Sequence, residues 1–256
     1  MKKLFIAFAL TSALFSCKKE TTNTNSSTNS SNGVTCVENP NINFTSIGTP
    51  VGKFSDCIKD IDGNVYKTVT IGTQTWMAEN LKTSKYTDGT LIPNVKDSLE
   101  WIKLTTGAWC YYENDEKYNA KYGKLYNWYA LSPTTNGNKN VCPTGWHVPS
   151  QGEWTILTDY LGGESAAGGK LKEVGNSSWK NPNIDATNVS GFTALPGGGR
   201  DIKGYIDNNV GGYYWSSSEK VESYAWGGVF LNYSAGSLDS GSENKLVGLN
   251  VRCVMD

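Results

Sequence analysis

The chain has 256 residues, enough for one large domain or two small ones. Its formal net charge is −1, and nothing in this balance suggests the concentrated excess of basic groups that nucleic-acid binding requires. Aromatic residues make up 12 % of the chain and glycine occurs 28 times, a composition that favours short strands and tight turns over long helices.

The N-terminal residues have the pattern of a bacterial export signal. Lys2 and Lys3 precede an apolar run at residues 4–10, which is too short for a stable membrane span. The segment 14–17, Leu-Phe-Ser-Cys, resembles a lipobox, in which the cysteine is acylated and becomes the mature N-terminus. We therefore predict that Cys17 carries a lipid anchor. The alternative is an ordinary secretion signal that contains a cysteine.

A polar segment follows the predicted lipidation site. Residues 18–33, "KKETTNTNSSTNSSNG", include no apolar side chain that a core could bury, and we expect them to be disordered. A flexible chain of this length reaches about 20–25 Å. The sequence therefore predicts a signal peptide (1–16) and a tether (17–33). The protein is expected to be lipid-anchored in the outer membrane, facing either the cell surface or the periplasm.

Five cysteines remain when Cys17 is acylated, and an exported protein meets an oxidising compartment that permits disulfides. Because five is odd, at least one of them is free or paired elsewhere. We predict a Cys142–Cys253 bridge first and a Cys36–Cys57 bridge second. Cys110, in the apolar run "GAWCYY", is predicted to be a buried thiol.

Residues 60–81, "DIDGNVYKTVTIGTQTWMAENL", begin with alternating acidic and amide side chains, a pattern that raises the question of a calcium loop. An EF-hand loop needs Gly at its sixth position and Glu at its twelfth, and those positions hold Val65 and Ile71. Asp62-Gly63 is instead a preferred hairpin turn, followed by the β-branched and aromatic residues of a strand. We predict a turn with local hydrogen bonds from its carboxylates.

The helical signals lie in the middle of the chain. Residues 150–153, Ser-Gln-Gly-Glu, form a predicted capping box, and Trp154, Leu157 and Leu161 follow on one helical face. A second helix is predicted over residues 166–174. The last hundred residues return to strand-like runs separated by turn residues. The predicted fold class is α+β, with mostly short antiparallel strands and two helices in one domain.

Six blocks of sequence carry a resemblance to a known family. In chain order they are "DIDGNVYKTVTIGTQTWMAENL", "GAWCYYENDEKYNAKYGKLYNWYAL", "CPTGWHVPSQGEWTILTDYLGG", "SGFTALPGGGRD", "YYWSSSE" and "NVRCVMD". They resemble the Fibrobacter succinogenes major paralogous domain of surface and secreted proteins in Bacteroidetes and Fibrobacter. The resemblance covers residues 54–256 and leaves 34–53 as an N-terminal extension. It implies a C-type-lectin-like fold with Cys142 and Cys253 at typical disulfide positions, and it implies no particular activity or ligand.

The C-type-lectin-like resemblance raises the question of a calcium-dependent sugar site. Such lectins use a Glu-Pro-Asn or Gln-Pro-Asp triplet and a Trp-Asn-Asp strand. This chain has Asn-Pro-Asn at 181–183 and no Trp-Asn-Asp, so the carboxylate that a hard cation needs is missing. We predict no metal site. Asn183, Asp185 and Asn188 are the candidate polar ligand contacts in this loop, and the alternative is that they bond their own backbone.

The aromatic surplus offers a second set of candidates, because tyrosine and tryptophan can stack on sugar rings. Tyr205 and Tyr213 lie beside glycines in predicted loops and are the candidate surface contacts, whereas Trp215 and Trp226 are predicted core residues. His147 is the single histidine and is predicted to be structural.

The predicted function is that of a non-catalytic, lipid-anchored cell-envelope protein whose domain binds a glycan or a surface protein, without metal or cofactor. One alternative is an enzyme or accessory acting on extracellular polysaccharide. It would need a carboxylate pair, such as Asp115 with Glu116 or Glu219 with Glu222, to converge in a cleft. The other alternative is a purely structural envelope component. Arg200 and Arg252, the only arginines, are predicted to bind carboxylates or carbonyls inside the domain.

Overall fold

The computed structural model describes residues 52–256, with the side chains of 53–56 outside that description. The predicted signal peptide, lipidated Cys17, tether, Cys36 and nearly all of the extension lie outside the described residues. Within the described part of the chain, no helix is long and apolar enough to cross a membrane.

The described residues form an α+β domain of mostly antiparallel strands, as predicted. The strands are β1 (Gly52–Lys59), β2 (Val65–Ile71), β3 (Gln74–Met77), β4 (Trp109–Cys110), β5 (Leu125–Tyr126), β6 (Trp146–His147), β7 (Gly199–Arg200), β8 (Tyr205–Ile206), β9 (Gly211–Val221), β10 (Tyr224–Asn232), β11 (Leu238–Asn244) and β12 (Val254–Met255). The helices are α1 (Ser98–Trp101), α2 (Asn119–Tyr122), α3 (Pro133–Asn136), α4 (Gln151–Tyr160) and α5 (Glu164–Leu171). Single 3₁₀ turns occupy Tyr112–Asn114, Glu116–Tyr118 and Trp128–Ala130.

The larger sheet has the strand order β1-β2-β3-β12-β6. The first three strands form an antiparallel meander that contains the predicted Asp62-Gly63 turn, where Gly63 has a φ of 89°. The C-terminal β12 lies between β3 and β6, so the two ends of the domain share one sheet. A second sheet has the order β11-β10-β9, and β4-β5 and β7-β8 form short pairs.

The carboxylates at the first turn bond partly as predicted. Asp60 accepts hydrogen bonds from the backbone N–H of Asn64 (2.9 Å) and the hydroxyl of Tyr66 (2.6 Å). The prediction of local bonds is wrong for Asp62, which accepts from the backbone N–H and the hydroxyl of Ser84 and pairs with Lys85. Burial raises the pKa of Asp62, but these bonds outweigh it and lower the pKa to about 2. The carboxylate therefore holds the hairpin against residues 83–85.

Helix α4 confirms the capping box. Ser150 Oγ accepts from the N–H of Glu153, and a Glu153 carboxylate oxygen accepts from the N–H of Ser150 at 2.7 Å. The predicted stripe of Trp154, Leu157 and Leu161 is buried against the second sheet.

Helix α5 begins and ends earlier than predicted. It ends at Leu171 because Lys172 turns to extended backbone and sends its ammonium into the interior. There Nζ donates to the carbonyls of Ile184 (2.8 Å), Asn232 (3.0 Å) and Ala235 (2.7 Å). These acceptors come from distant segments, so no local signal marks the end of the helix. The one-turn helices α1, α2 and α3 were also not predicted.

Aromatic side chains fill the space between the sheets and helices. Trp76, Trp154, Phe192 and Tyr214 form a cluster in which neighbouring ring centroids lie 4.6 to 6.0 Å apart. Trp215 is fully buried, as predicted.

The prediction that Trp226 is a core residue is wrong. It is half-buried on β10, and Lys220 lies 4.4 Å from its ring centroid. Trp226 pairs with Ser242 of β11 beside the bulged region of β10.

The cysteines agree with the sequence analysis where the structure describes them. Cys142 and Cys253 form a disulfide that closes a separation of 111 residues. Cys57 is disulfide-bonded, and its predicted partner Cys36 lies outside the described residues. Cys110 is a buried thiol, and burial raises its pKa.

Both arginines are buried and bind carbonyl oxygens, as predicted. Arg200 donates to the carbonyls of Val95 (2.8 Å) and Lys96 (3.0 Å), and its guanidinium lies 4.3 Å from the ring centroid of Trp101. Arg252 donates to the carbonyls of Met77, Phe192 and Thr193 and to the side-chain oxygen of Asn80. These cations hold loops in place and do not reach solvent.

Candidate functional site

An open groove with a volume of about 500 Å³ runs between two loops on the surface of the domain. We call it the amide groove. Its lining residues are Asn176, Ser177, Ser178, Trp179, Lys180, Asn181, Asn208, Asn209 and Val210. The first loop follows α5, and the second joins β8 to β9.

Backbone hydrogen bonds hold the two loops of the amide groove together. The N–H of Lys180 donates to the carbonyl of Asn209 at 2.7 Å, and the hydroxyl of Tyr122 donates to the Asn209 side-chain oxygen at 3.2 Å. Asp207 and Asn209 have left-handed backbone, with φ of 59° and 66°. Asparagine and aspartate tolerate this conformation better than most residues, which explains why this loop has them.

The groove presents amide and hydroxyl groups above an aromatic floor. Trp179 is buried, and its indole N–H donates to the carbonyl of Ala194 at 3.0 Å. Ser178 is also buried, and its Oγ has no hydrogen-bond partner among the described residues. The Nδ2 of Asn208 is likewise buried without a partner there. No aspartate or glutamate is among the lining residues.

The predicted contacts of the 181–193 loop are mostly used to hold that loop. Buried Asn183 donates through Nδ2 to the carbonyls of Glu173 (2.9 Å) and Gly175 (2.7 Å). Asn188 bonds Thr193 twice, through Nδ2 and through Oδ1. The alternative of bonding within the loop therefore describes Asn188, whereas Asn183 bonds the preceding segment at residues 173–175.

Asp185 is the exposed member of the predicted set. It lines a separate groove of about 430 Å³ together with Lys170 and Thr187. Its chain segment packs closely on two glycines, because a Cβ on Gly169 would lie 2.2 Å from the Asp185 carbonyl oxygen and one on Gly236 would lie 2.3 Å from its carboxylate. The structure does not bring Asp185 into the amide groove.

The two predicted tyrosines are half-buried and do not line the amide groove. Tyr205 packs between Tyr112, at 5.2 Å between ring centroids, and the guanidinium of Arg200. Tyr213 donates its hydroxyl to Asp207 at 2.7 Å and meets Phe230 edge-on. Burial raises the pKa of both hydroxyls, and the bond to Asp207 raises that of Tyr213 further.

Sequence reasoning missed Ser178, Asn208 and Asn209. The available signal was two short runs rich in asparagine and serine, "GNSSWKNPN" at 175–183 and "DNN" at 207–209. Nothing local shows that these runs meet, because about thirty residues separate them.

Residues 69–255 match the model of the Fibrobacter succinogenes major domain, so the match runs from the middle of β2 to β12 and includes the whole amide groove. The chain belongs to this family. No curated protein and no solved structure gives a match. The match confirms the resemblance from the sequence blocks and begins later than the predicted boundary at residue 54.

One carboxylate of each pair considered for catalysis forms an ion pair in the major domain. Asp115 accepts from the N–H of Lys117 and pairs with its ammonium at 2.6 Å. Glu219 pairs with the buried ammonium of Lys245, which also donates to the carbonyl of Glu222. Among the described residues, no cluster of three or more His, Cys, Asp and Glu side chains has metal-binding geometry.

His147, the single histidine of the major domain, lies in β6 shortly before α4. Its ring is between two carboxylates. Each His147 ring nitrogen is 2.7 Å from a carboxylate oxygen, of Asp256 on one side and of Glu153 on the other. Burial lowers the pKa of His147, but these two bonds outweigh it and raise the pKa above 6.5. Burial raises the pKa of Glu153, but bonds to Ser150 and His147 outweigh it and lower the pKa below 4.5.

This cluster predicts a pH-dependent contribution to stability. The raised pKa of His147 stabilises the fold below pH 6.5, and this contribution is lost as the pH rises through the folded-state pKa. The lowered pKa of Glu153 stabilises the fold above pH 4.5, and this contribution is lost as the pH falls through the folded-state pKa. We expect His147→Gln to lower the melting temperature most near about pH 5.5 and least near about pH 9. Thermal unfolding across this range measures it, and a pH-independent difference would contradict it.

Proposed function

We propose that this protein is a non-catalytic, lipid-anchored outer-membrane protein whose major domain binds a glycan through the amide groove. The observation that carries the proposal is the unpaired Ser178 hydroxyl in a groove lined by amides and hydroxyls. The export signal and the lipobox-like segment ending at Cys17 support the anchor. The disulfide from the segment before α4 to the segment before β12 supports a C-type-lectin-like fold.

Sugar hydroxyls suit this lining, because each can donate and accept a hydrogen bond. Asparagine side chains also offer both a donor and an acceptor, and serine hydroxyls rotate to suit either role. A buried polar group without a partner costs about 1–3 kcal/mol. A ligand hydroxyl that pairs with Ser178 or Asn208 would recover that cost, which favours a polar ligand over an apolar one.

The proposed binding needs no calcium. Hard cations prefer carboxylate and carbonyl oxygens, and the amide groove has no carboxylate in its lining. The glycan would therefore bind through direct hydrogen bonds, with the Trp179 floor beneath it. Chelator should leave the affinity unchanged.

A glycan array tests the proposal. We expect the full chain in non-ionic detergent to bind a subset of glycans equally with and without chelator. Silence under both conditions would contradict glycan binding. Binding that requires calcium would contradict the proposed site.

Ser178→Ala is the sharpest variant for the amide groove. Because its Oγ has no partner among the described residues, its removal should leave the melting temperature of the unliganded protein unchanged or raised. The same change should weaken glycan binding by about tenfold, the equivalent of 1.4 kcal/mol. Isothermal titration measures the affinity.

The matched control is Asn94→Ala, since Asn94 is exposed and lies outside the groove lining. It should change neither the melting temperature nor the affinity. Equal affinities for Ser178→Ala and the unaltered chain would place the glycan elsewhere.

A further inference from the structure

A second pocket lies beside the amide groove, and we call it the lysine pocket. Its volume is about 300 Å³. Its charged lining residues are Lys67, Lys82, Lys121, Glu79 and Glu173, and its floor is small and largely apolar, formed by Ala78, Ala120, Thr193 and Leu195.

A short ridge separates the lysine pocket from the amide groove. The ammonium of Lys121 lies 3.3 Å from the carbonyl oxygen of Ser177 and donates to it. The hydroxyl of Ser177 is 3.5 Å from a carboxylate oxygen of Glu173. Lys121 and Glu173 line the pocket while Ser177 lines the groove, so one ligand a few sugar rings long can span both.

The ammonium groups of the lysine pocket are available to a ligand. No ion pair between described residues includes Lys67, Lys82 or Lys121, although two glutamates share their pocket. Glu79 instead accepts from the backbone N–H of Lys67 at 2.9 Å. Among the described residues, the positive charge of these lysines is therefore not neutralised by an ion pair.

A buried guanidinium adds to this positive charge from beneath the floor. Arg252 is fully buried and donates to the carbonyl of Thr193, a floor residue, at 2.8 Å. Its other acceptors, on Asn80, Met77 and Phe192, are all neutral oxygens. A charge in the interior acts through a lower effective dielectric than one in water, so Arg252 raises the potential in the pocket.

We infer that the ligand is an acidic glycan, whose sugar rings occupy the amide groove and whose carboxylate or sulfate group occupies the lysine pocket. This inference rests on the proposed glycan function and names the class of glycan. Lysine ammonium groups bind such anions as point charges and place no demand on a fixed paired geometry. Four cationic groups against two carboxylates make an acidic sugar a better fit than a neutral one.

The test compares two ligands that share one sugar backbone and differ in whether its carboxyl groups are ionised or methyl-esterified. Isothermal titration of the full chain in non-ionic detergent uses oligogalacturonate and its fully methyl-esterified form. The acidic form is expected to bind at least tenfold more tightly at low ionic strength. The difference should shrink as salt is added, because exposed charges are screened. Dextran sulfate against dextran repeats the comparison with sulfate as the anion, and inorganic phosphate tests whether a free anion suffices.

Variants locate the charged subsite. The double substitution Lys67→Gln and Lys82→Gln should reduce the ratio of the affinity for the acidic form to that for the esterified form at least fivefold. It should leave the affinity for the esterified form unchanged. Glu173→Gln should strengthen binding of the acidic form. Lys103→Gln, an exposed lysine outside both pockets, is the matched control and should change neither affinity.

The outcomes separate this inference from the proposed function. Equal affinities for the acidic and neutral forms would overturn the inference and leave the amide groove as the glycan site. Failure of both forms and both dextrans to bind would count against glycan binding itself. Two results would overturn the assignment of the lysine pocket. One is a preference for the acidic form that persists after the lysine substitutions, and the other is an affinity for inorganic phosphate equal to that for the acidic oligosaccharide.

Discussion

Replacing Arg252 by methionine is expected to lower the free energy of unfolding by about 3–4 kcal/mol, because four acceptors in the core lose their donor at about 1 kcal/mol each. The guanidinium donates to Asn80 Oδ1 at 2.9 Å and to three backbone carbonyls, those of Met77, Phe192 and Thr193. These acceptors belong to the end of β3, to the segment that follows it and to the 181–193 loop. One side chain thus joins two parts of the chain that share no strand pairing. Urea unfolding measures the loss.

Arg252→Lys separates the effect of charge from that of geometry. Lysine keeps the positive charge but has one nitrogen, which cannot reach acceptors that the fork of a guanidinium contacts together. We expect it to restore less than half of the lost stability. Lys103→Met, an exposed substitution, should change the free energy of unfolding by less than about 0.5 kcal/mol. An Arg252→Met protein within about 1 kcal/mol of the unaltered chain would contradict this account.

Removing the Cys142–Cys253 disulfide is expected to have an effect of similar or larger size. The bridge closes a separation of 111 residues, for which the chain-entropy model gives about 4–5 kcal/mol. The double substitution Cys142→Ala and Cys253→Ala removes this constraint on the unfolded chain. Both side chains are buried, so the change also leaves space in the core. Urea unfolding under oxidising conditions measures the loss.

Reductant provides the internal comparison for this variant. Cys57 is also disulfide-bonded, so adding reductant to the double variant reports that second bond alone. Cys110→Ala, which keeps both disulfides, controls for the loss of a buried sulfur. A loss below about 1 kcal/mol for the double variant would mean that the closed loop contributes little to folding.

Predictions from the sequence succeeded where the signal was local. The capping box of Ser150 and Glu153, the stripe that follows it and the Asp62-Gly63 turn each depend on residues a few positions apart. The family was also predictable, because six blocks of residues in a fixed order are specific. The prediction that both arginines bind carbonyls inside the domain is also confirmed.

Predictions failed where a partner lay far along the chain. The end of α5 depends on three carbonyls that bind Lys172, one at residue 184 and two in the segment 232–235. The partner of Asp62 is Ser84, which lies 22 residues away. The partial exposure of Trp226 depends on the bulges that shift the register of β10. Alternation along a single strand does not determine which face is exposed when neighbouring strands shift register.

The class of fold, the family, the main helix and the pair of cysteines that closes the domain could be predicted from the sequence, since these depend on local patterns and on ordered blocks of residues. Which polar side chains line the amide groove depends on the tertiary structure. Asn183 and Asn208 look alike in the sequence, yet Nδ2 of Asn183 donates to two backbone carbonyls, whereas Nδ2 of Asn208 is buried at the amide groove without a partner among the described residues. The physical reason is that a hydrogen bond is satisfied or left open by neighbours in space, and those neighbours are set by the packing of distant segments.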